Sequence, residues 1–237
     1  MGEAAVADTQ QESLARVGLL ADLRPADRQM LEQNCRWRRY AAQEQIIDRQ
    51  SDTRDVFFVV SGQVRVVNYS LSGREITLDD VGVGGIFGEL AAIDGQPRSA
   101  SVMALKPSLI AAMPPELFLS MLEKNPKVAL GVMRHLTNVV RHSTERIMDL
   151  STLAANNRVH ADLLRQARAN MKGTNEAEIR PIPVHSDIAS RVSTTRETVA
   201  RVLNDLARKG VVERLKDSLI VRDVDRLHEL VEEVRGD

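Results

Sequence analysis

Cysteine is nearly absent. Cys35 stands alone among 237 residues, so no internal disulfide can form, and one thiol cannot by itself hold a zinc ion or an iron–sulfur cluster. It reads as a small hydrophobe of the core or of half-buried surface. Long apolar runs are missing too: no segment approaches the roughly 20 apolar residues needed to cross a bilayer. The opening "MGEAAVADTQQES" has neither the basic nor the apolar region of a secretion signal. Val6 stands where a myristoylation signal beginning at Met1-Gly2 needs Ser or Thr. A cytoplasmic protein with no membrane partner is the expectation. A large charge of one sign is also lacking. The net charge of −1 argues against wholesale binding to nucleic acid and leaves local patches to be counted.

What is present is an ordinary globular composition, 27% charged and 43% hydrophobic, in a chain whose length suits two domains with a core each. "SLARVGLLADL" and "RPADRQMLEQN" read as short amphipathic helices, the second opened by Pro25. From about Ile46 to Met113 the pattern becomes β-rich: "DVFFVVSG", "QVRVVNYS", "EITLDDV" and "SLIAAM" are separated by turns at Ser61-Gly62, Ser72-Gly73 and Gly82 to Gly85. Such spacing predicts a small antiparallel barrel or sandwich.

From Pro126 to about Leu153 the period is helical. Ala129, Met133, Leu136, Val140, Ser143, Ile147, Leu150 and Ala154 step by four and three in alternation, a coiled-coil seam that predicts a parallel homodimer. Ser143 is polar within this seam and Thr144 follows it. Their hydroxyls can bond a carbonyl one turn back or wait for a ligand. Asn156-Asn157 interrupts the apolar period and suits a helix break at the domain boundary.

Beyond it, "RVHADLLRQARAN" is a helix and "KGTNEAEIRPIP" a connector. Then come two short helical patterns with "STT" between them and a β pair, "VVERLKDSLIVRD", a winged helix-turn-helix pattern. Leu227, Leu230, Val231 and Val234 mark a last amphipathic helix behind it. From Asp187 to Arg222 there are eight basic residues against five acidic ones. With Val199, Leu203 and Leu206 turned inward, Arg196, Glu197, Ala200, Arg201 and Asn204 share the outer face near the helix start. Arginine can grip guanine through two hydrogen bonds and a carboxylate can accept from cytosine N4. The set suits base reading.

"TTRETVARVLNDLARKGVV" resembles the recognition helix of the cyclic AMP receptor protein family, the Crp/Fnr transcription regulators. The resemblance carries a base-contacting role onto Arg196, Glu197 and Arg201, with Thr195 and Thr198 in the same run, and implies a TGTGA-like half-site on double-stranded DNA. Ser193 departs from the family, which often has glycine in that turn, so a left-handed conformation there costs more.

"FGELAAIDGQPRSAS", residues 87–101, has the chemistry for a cyclic nucleotide. Arg98 can neutralise a phosphodiester through charge-assisted bonds, each worth roughly 1.5–3 kcal/mol. Ser99 adds a hydroxyl and an N–H, Gly88 permits close backbone approach, and Glu89 can accept from a ribose 2′-OH. The alternative is a buried Glu89–Arg98 ion pair between neighbouring strands, which gains little net stability. The run resembles the phosphate-binding cassette of cyclic-nucleotide-binding domains, matching Phe-Gly-Glu-Leu (through Leu90) and Arg-Ser-Ala (through Ala100). On the same resemblance, Ser143 and Thr144 fall where the cyclic AMP receptors use two adjacent hydroxyls to meet the adenine, one from each subunit.

The resemblance thus implies an α+β chain: an antiparallel β-roll with flanking helices at 13–125, a dimerisation helix and hinge at 126–155, and a winged helix-turn-helix domain at 156–237. It implies cAMP, or cGMP, as ligand and DNA, a second copy of the chain and RNA polymerase as partners. Glu89 has no nucleophile or metal-ligand cluster beside it in sequence, so neither catalysis nor a metal is expected. Two rivals remain: a regulator of the same build sensing another molecule, and a cyclic-nucleotide-binding subunit of an enzyme or channel. All five histidines lie outside the β-rich region, which weakens haem, and the second rival leaves "TTRETVAR" without work.

Overall fold

"DVFFVVSG" is apolar without alternation, which in an antiparallel sheet requires both faces to be covered. That is its situation in the computed structural model, which describes residues 13–235, with side chains through Glu233. The leader and myristoylation readings concern residues outside that range. The chain divides into two compact units. One comprises the residues up to Asn68 together with Leu78–Leu136, the other Tyr69–Thr77 and Thr137–Asp237.

In the first unit, a helix α1 (Pro25–Asn34) precedes strands β1 (Arg36–Tyr40), β2 (Gln45–Ile47), β3 (Val56–Tyr69), β4 (Glu75–Gly82) and β5 (Ile86–Phe87). A short helix α2 (Glu89–Asp94), strand β6 (Ser101–Met113) and helix α3 (Pro115–Lys124) follow, and helix α4 (Pro126–Thr152) begins in this unit and ends in the second. The sheet runs β1-β6-β3-β4, with β2 paired to β6 and β5 to β3. On β3, Val56, Phe58 and Val60 enter one core cluster and Phe57 and Val59 another, so successive side chains serve opposite faces. The two β-rich runs on either side of Ser61-Gly62 are one strand, whose pairing with β6 shifts register between Val59 and Val64. The expected turn is instead an irregularity within the strand.

Further readings change. "SLARVGLLADL" is a chain of turns with a 3-10 segment at Gly18–Leu20. Its buried Leu14, Val17, Leu20 and Leu23 recur every third residue, and Val17, Leu20 and Leu23 each donate to the carbonyl three residues back. That is the 3-10 repeat and not the α period. β1, "RWRRY", went unrecognised because only Tyr40 is buried; it ends the strand order, where charged side chains protect an open edge. Helix α4 has the expected extent, about 40 Å at ~1.5 Å per residue. Along it Leu136 packs on the first unit's core, whereas Met133, Val140, Ile147 and Leu150 are exposed.

In the second unit, α4 gives way to α5 (Ala155–Ala169), β7 (Ala177–Ile179), α6 (His185–Arg191), α7 (Arg196–Arg208), β8 (Val212–Arg214), β9 (Leu219–Val221) and α8 (Val224–Arg235). The helix break falls at Leu153–Ala154, and Asn156 and Asn157 sit in the first turn of α5. Leu153 decides this: it is buried in the second unit's core, and Ala154 takes extended backbone as the N-cap. The connector contributes β7, which pairs with β9, so the wing is a three-stranded sheet, β7-β9-β8. On α7 the buried residues are Val199, Val202 and Leu206, with Leu203 half-buried, which turns the inner face slightly from the sequence reading. Among the described residues no helix is long and apolar enough to cross a membrane.

Candidate functional site

The first unit builds a small cradle from β5, α2 and the loop to β6. Gly88 precedes α2 with φ 79° and Gly95 follows it with φ 69°, so the six-residue helix is bounded by left-handed residues at both ends. This compactness folds the cassette back on itself and brings Arg98 beneath Gly88. The guanidinium, 4% exposed, donates Nη1–H to the Gly88 carbonyl at 2.8 Å and Nη2–H to the Asp55 carbonyl at 2.9 Å. Nε and Nη2 both reach the Thr53 hydroxyl at 3.3 Å. Its carbon lies 5.5 Å from the centre of the Phe57 ring, itself stacked on Phe87 at 5.0 Å.

These partners are neutral. Among the described residues no carboxylate forms an ion pair with Arg98, so the alternative of a Glu89–Arg98 pair does not hold. Burial lowers the pKa of Arg98 from its ordinary value, with the charges of Asp55 and Glu89 opposing that fall. A buried guanidinium held by carbonyls is a cation oriented in advance and still able to attract an anion.

Glu89, 6% exposed, is partnered instead by His135 of α4, with Nε2 at 3.4 Å from Oε1. The hydrogen bond to Glu89 raises the pKa of His135 above the ordinary imidazole value; partial burial opposes it, and the charges of Glu89 and Asp79 reinforce it. Nothing in the local sequence marks His135. Of the other cassette residues, Ala100 is buried, Ser99 and Leu90 are exposed, and the Ser99 carbonyl accepts from Asn68 Nδ2 at 3.3 Å. Sequence reasoning also missed Thr53 and Asp55, which act through one hydroxyl and one backbone carbonyl and leave no motif. Ser143 and Thr144 belong to the second unit. Both are exposed, and the Thr144 hydroxyl donates to the Val140 carbonyl one turn back at 3.0 Å.

In the second unit the helix-turn-helix is closed by Arg158, which donates to the carbonyls of Leu153, Val192 and Ser193 at 2.8, 2.9 and 3.2 Å. Ser193 adopts φ 53°, the left-handed conformation its place in the turn implied. Thr195 caps α7, its hydroxyl accepting from the Thr198 backbone N–H at 3.3 Å. Arg196, Glu197 and Arg201 are exposed on the first turns. The pKa of Glu197 is lowered first by its own backbone N–H and then by the Thr195 hydroxyl, as suits a carboxylate at a helix start. Arg201 Nη2 reaches Asn156 Oδ1 at 3.4 Å.

An open cleft of about 640 Å³ lies against this face, lined by Ile182 to Ser186, Arg196, Glu197, Ala200 and Arg214. Arg214 comes from the wing strand β8, which the sequence placed in the wing but did not bring to the face of Arg196 and Glu197. Several of the basic residues counted in this region are engaged: Arg191 with Asp162, Arg208 and Lys209 with Asp205, and Arg222 with Glu176 and Glu213. Among the described residues Arg196, Arg201, Arg214 and Lys216 form no ion pair, so the accessible positive charge is concentrated on the start of α7 and on the wing.

A β-roll bearing a guanidinium cradle, followed by a winged helix-turn-helix, puts a candidate anion site and a candidate DNA-binding unit on one chain. Comparison with known proteins agrees. Residues 37–125 match the cyclic nucleotide-binding domain and residues 157–230 the Crp-like helix-turn-helix domain. A cyclic AMP receptor protein of Thermus thermophilus is 34% identical over 175 residues, covering 74% of this chain and 78% of that protein. A CRP-like cAMP-activated global transcriptional regulator of Mycobacterium tuberculosis is 27% identical over 175 residues, 73% of this chain and 77% of that one. Among solved structures, a CooA mutant from Carboxydothermus hydrogenoformans shares the fold, with a TM-score of 0.75 at 24% identity, over 84% of this chain and 88% of that one. The chain belongs to the Crp/Fnr family of transcription regulators.

Proposed function

We propose that this regulator binds a cyclic nucleotide, cAMP in the first instance and cGMP as the alternative, and that the ligand favours binding to a palindromic site with TGTGA-like half-sites. The observation that carries the reading is the state of Arg98: buried, oriented by two backbone carbonyls and a hydroxyl, and without a carboxylate of its own. A cyclic phosphodiester supplies the missing anion, and Glu89 the acceptor for the ribose hydroxyl. Gly88, Leu90, Ser99 and Ala100 form the walls and the remaining polar contacts. The names of the Thermus and Mycobacterium relatives support cAMP.

The functional molecule is a parallel homodimer. Met133, Val140 and Ile147 are exposed at heptad spacing on α4, at 56, 64 and 63%, an apolar stripe that a second copy of the helix covers. Ser143 and Thr144 lie on the same helix and meet the purine, one hydroxyl from each subunit. Ligand binding then favours one arrangement of the dimer helix and hinge. A shift from 1:99 to 99:1 requires about 5.5 kcal/mol of differential binding. The paired α7 helices enter successive major grooves about 34–36 Å apart, where Thr195 and Thr198 flank the base-reading Arg196, Glu197 and Arg201. RNA polymerase is the partner through which a DNA-bound regulator of this kind acts in the cytoplasm.

Titration calorimetry with cAMP and with cGMP, followed by gel-shift selection on randomised duplexes with and without the better ligand, tests the reading. Arg98→Ala should abolish ligand-stimulated DNA binding and leave the dimer intact. An unchanged ligand dissociation constant in that variant sinks the cassette assignment.

A further inference from the structure

His135 is the one histidine that the fold brings to the cassette, and neither spacing nor motif accounts for it. It stands on α4, yet its Nε2 lies 3.4 Å from the buried Glu89 Oε1, its own side chain 30% exposed and that of Glu89 8%. We propose that His135 is a positioning residue for Glu89, and that its protonation is coupled to cyclic-nucleotide binding so that affinity tightens as pH falls. The proposal rests on the ligand reading above.

The reason lies in the charges. The ligand brings one negative charge into a pocket where Arg98 supplies one positive and Glu89 one negative. With a neutral imidazole, the Glu89 carboxylate stands uncompensated near the incoming phosphodiester and weakens the pull of Arg98. With an imidazolium, Glu89 is paired, and the charge of Arg98 is left to the ligand. The same ion pair fixes one carboxylate oxygen and leaves the other to accept from the sugar.

The charged groups acting on the imidazole are Glu89 from α2 and Asp79 from β4, both carboxylates that hold its proton; Arg98 acts on Glu89 from the far end of the cassette. An arriving anion adds to the first two, so the pKa of His135 rises further on binding. The favourable contribution is therefore fully present below the free-protein pKa, already above the ordinary value of about 6.5, and is lost as pH rises through the bound-state pKa.

The experiment uses the full-length chain and titrates it with cAMP and with cGMP by calorimetry at about pH 6 and about pH 8.5, in two buffers of different ionisation enthalpy. The dissociation constant should rise about ten-fold over this range, with proton uptake at intermediate pH. His135→Gln, which can still donate to Glu89 but cannot titrate, should bind with an affinity nearly independent of pH. Heat with an affinity that does not change with pH and no proton uptake overturns this proposal and leaves the ligand reading standing. A His135→Gln variant that keeps the full pH slope overturns the assignment to His135. Absence of heat with both nucleotides at both pH values refutes the ligand reading, and this proposal with it.

Discussion

Replacing Gly88 by alanine should damage the cassette in two separable ways. Its φ of 79° is left-handed, which costs an L-residue roughly 1–2 kcal/mol. A Cβ built there would also lie 2.8 Å from Arg98 Nη1, 3.1 Å from the Asp55 carbonyl oxygen and 3.1 Å from Phe57 Cδ2. The 2.8 Å approach is the one that forces a shift; the guanidinium, the end of a flexible side chain, moves and loses its bond to the Gly88 carbonyl, worth about 1.5–3 kcal/mol for a charged donor. The total loss of stability is about 2.5–5 kcal/mol.

Gly95, at the other end of the same helix, is the control. Its φ is 69°, and a Cβ there would meet only Arg54 Nη1 at an ordinary 3.8 Å, so Gly95→Ala should cost about 1–2 kcal/mol through the dihedral alone. Trp37 is the single tryptophan and packs on the first unit's core, so its fluorescence during urea unfolding reports this unit. Calorimetry should show cyclic-nucleotide affinity about ten- to hundred-fold weaker in Gly88→Ala and near wild type in Gly95→Ala. If the two variants are equally stable and bind equally well, the close approach of Gly88 and Arg98 is not what shapes the pocket.

Ser193→Gly should stabilise the second unit by about 0.5–1 kcal/mol, because glycine removes the left-handed penalty and returns part of it as unfolded-chain entropy; a lower melting temperature would refute this. Arg201→Ala should relax the preference at one base position by roughly 1–3 kcal/mol. Arg214→Ala should weaken all sequences alike and reduce the salt slope by about 1; quantitative site selection at several salt concentrations separates the two. Cys35 is 8% exposed, and burial, reinforced by the charge of Glu32, pushes its thiol up to about 12. It should resist alkylation at neutral pH in the folded protein and react once the chain is unfolded in urea. Rapid native labelling would show that this core opens.

Much of this was legible in sequence because it depends on local chemistry. Glycines at both ends of "GELAAIDG" permit the left-handed residues that bound a short helix. Helix α7 was legible from its inward Val199 and Leu206 and its outward Arg196, Glu197 and Arg201, properties of a dozen consecutive residues. Less legible were elements whose identity depends on a distant strand or core. "RWRRY" becomes a strand through β6, Ala177–Ile179 through β9, and the break after α4 is set by where Leu153 is buried, three residues before the asparagines that suit a break in the sequence.

The division is sharpest at the cassette. Sequence by itself determined that an arginine and a glutamate would flank a tight glycine-bounded turn, because residue type and spacing suffice for that. Only the tertiary structure decided that the two would not pair with each other. It gave Arg98 the carbonyls of Gly88 and Asp55 and gave Glu89 the imidazole of His135. The physical reason is that a buried charge takes whichever partner the packing of neighbouring elements presents, and backbone carbonyls and a helix arriving from later in the chain carry no signature in the motif they complete.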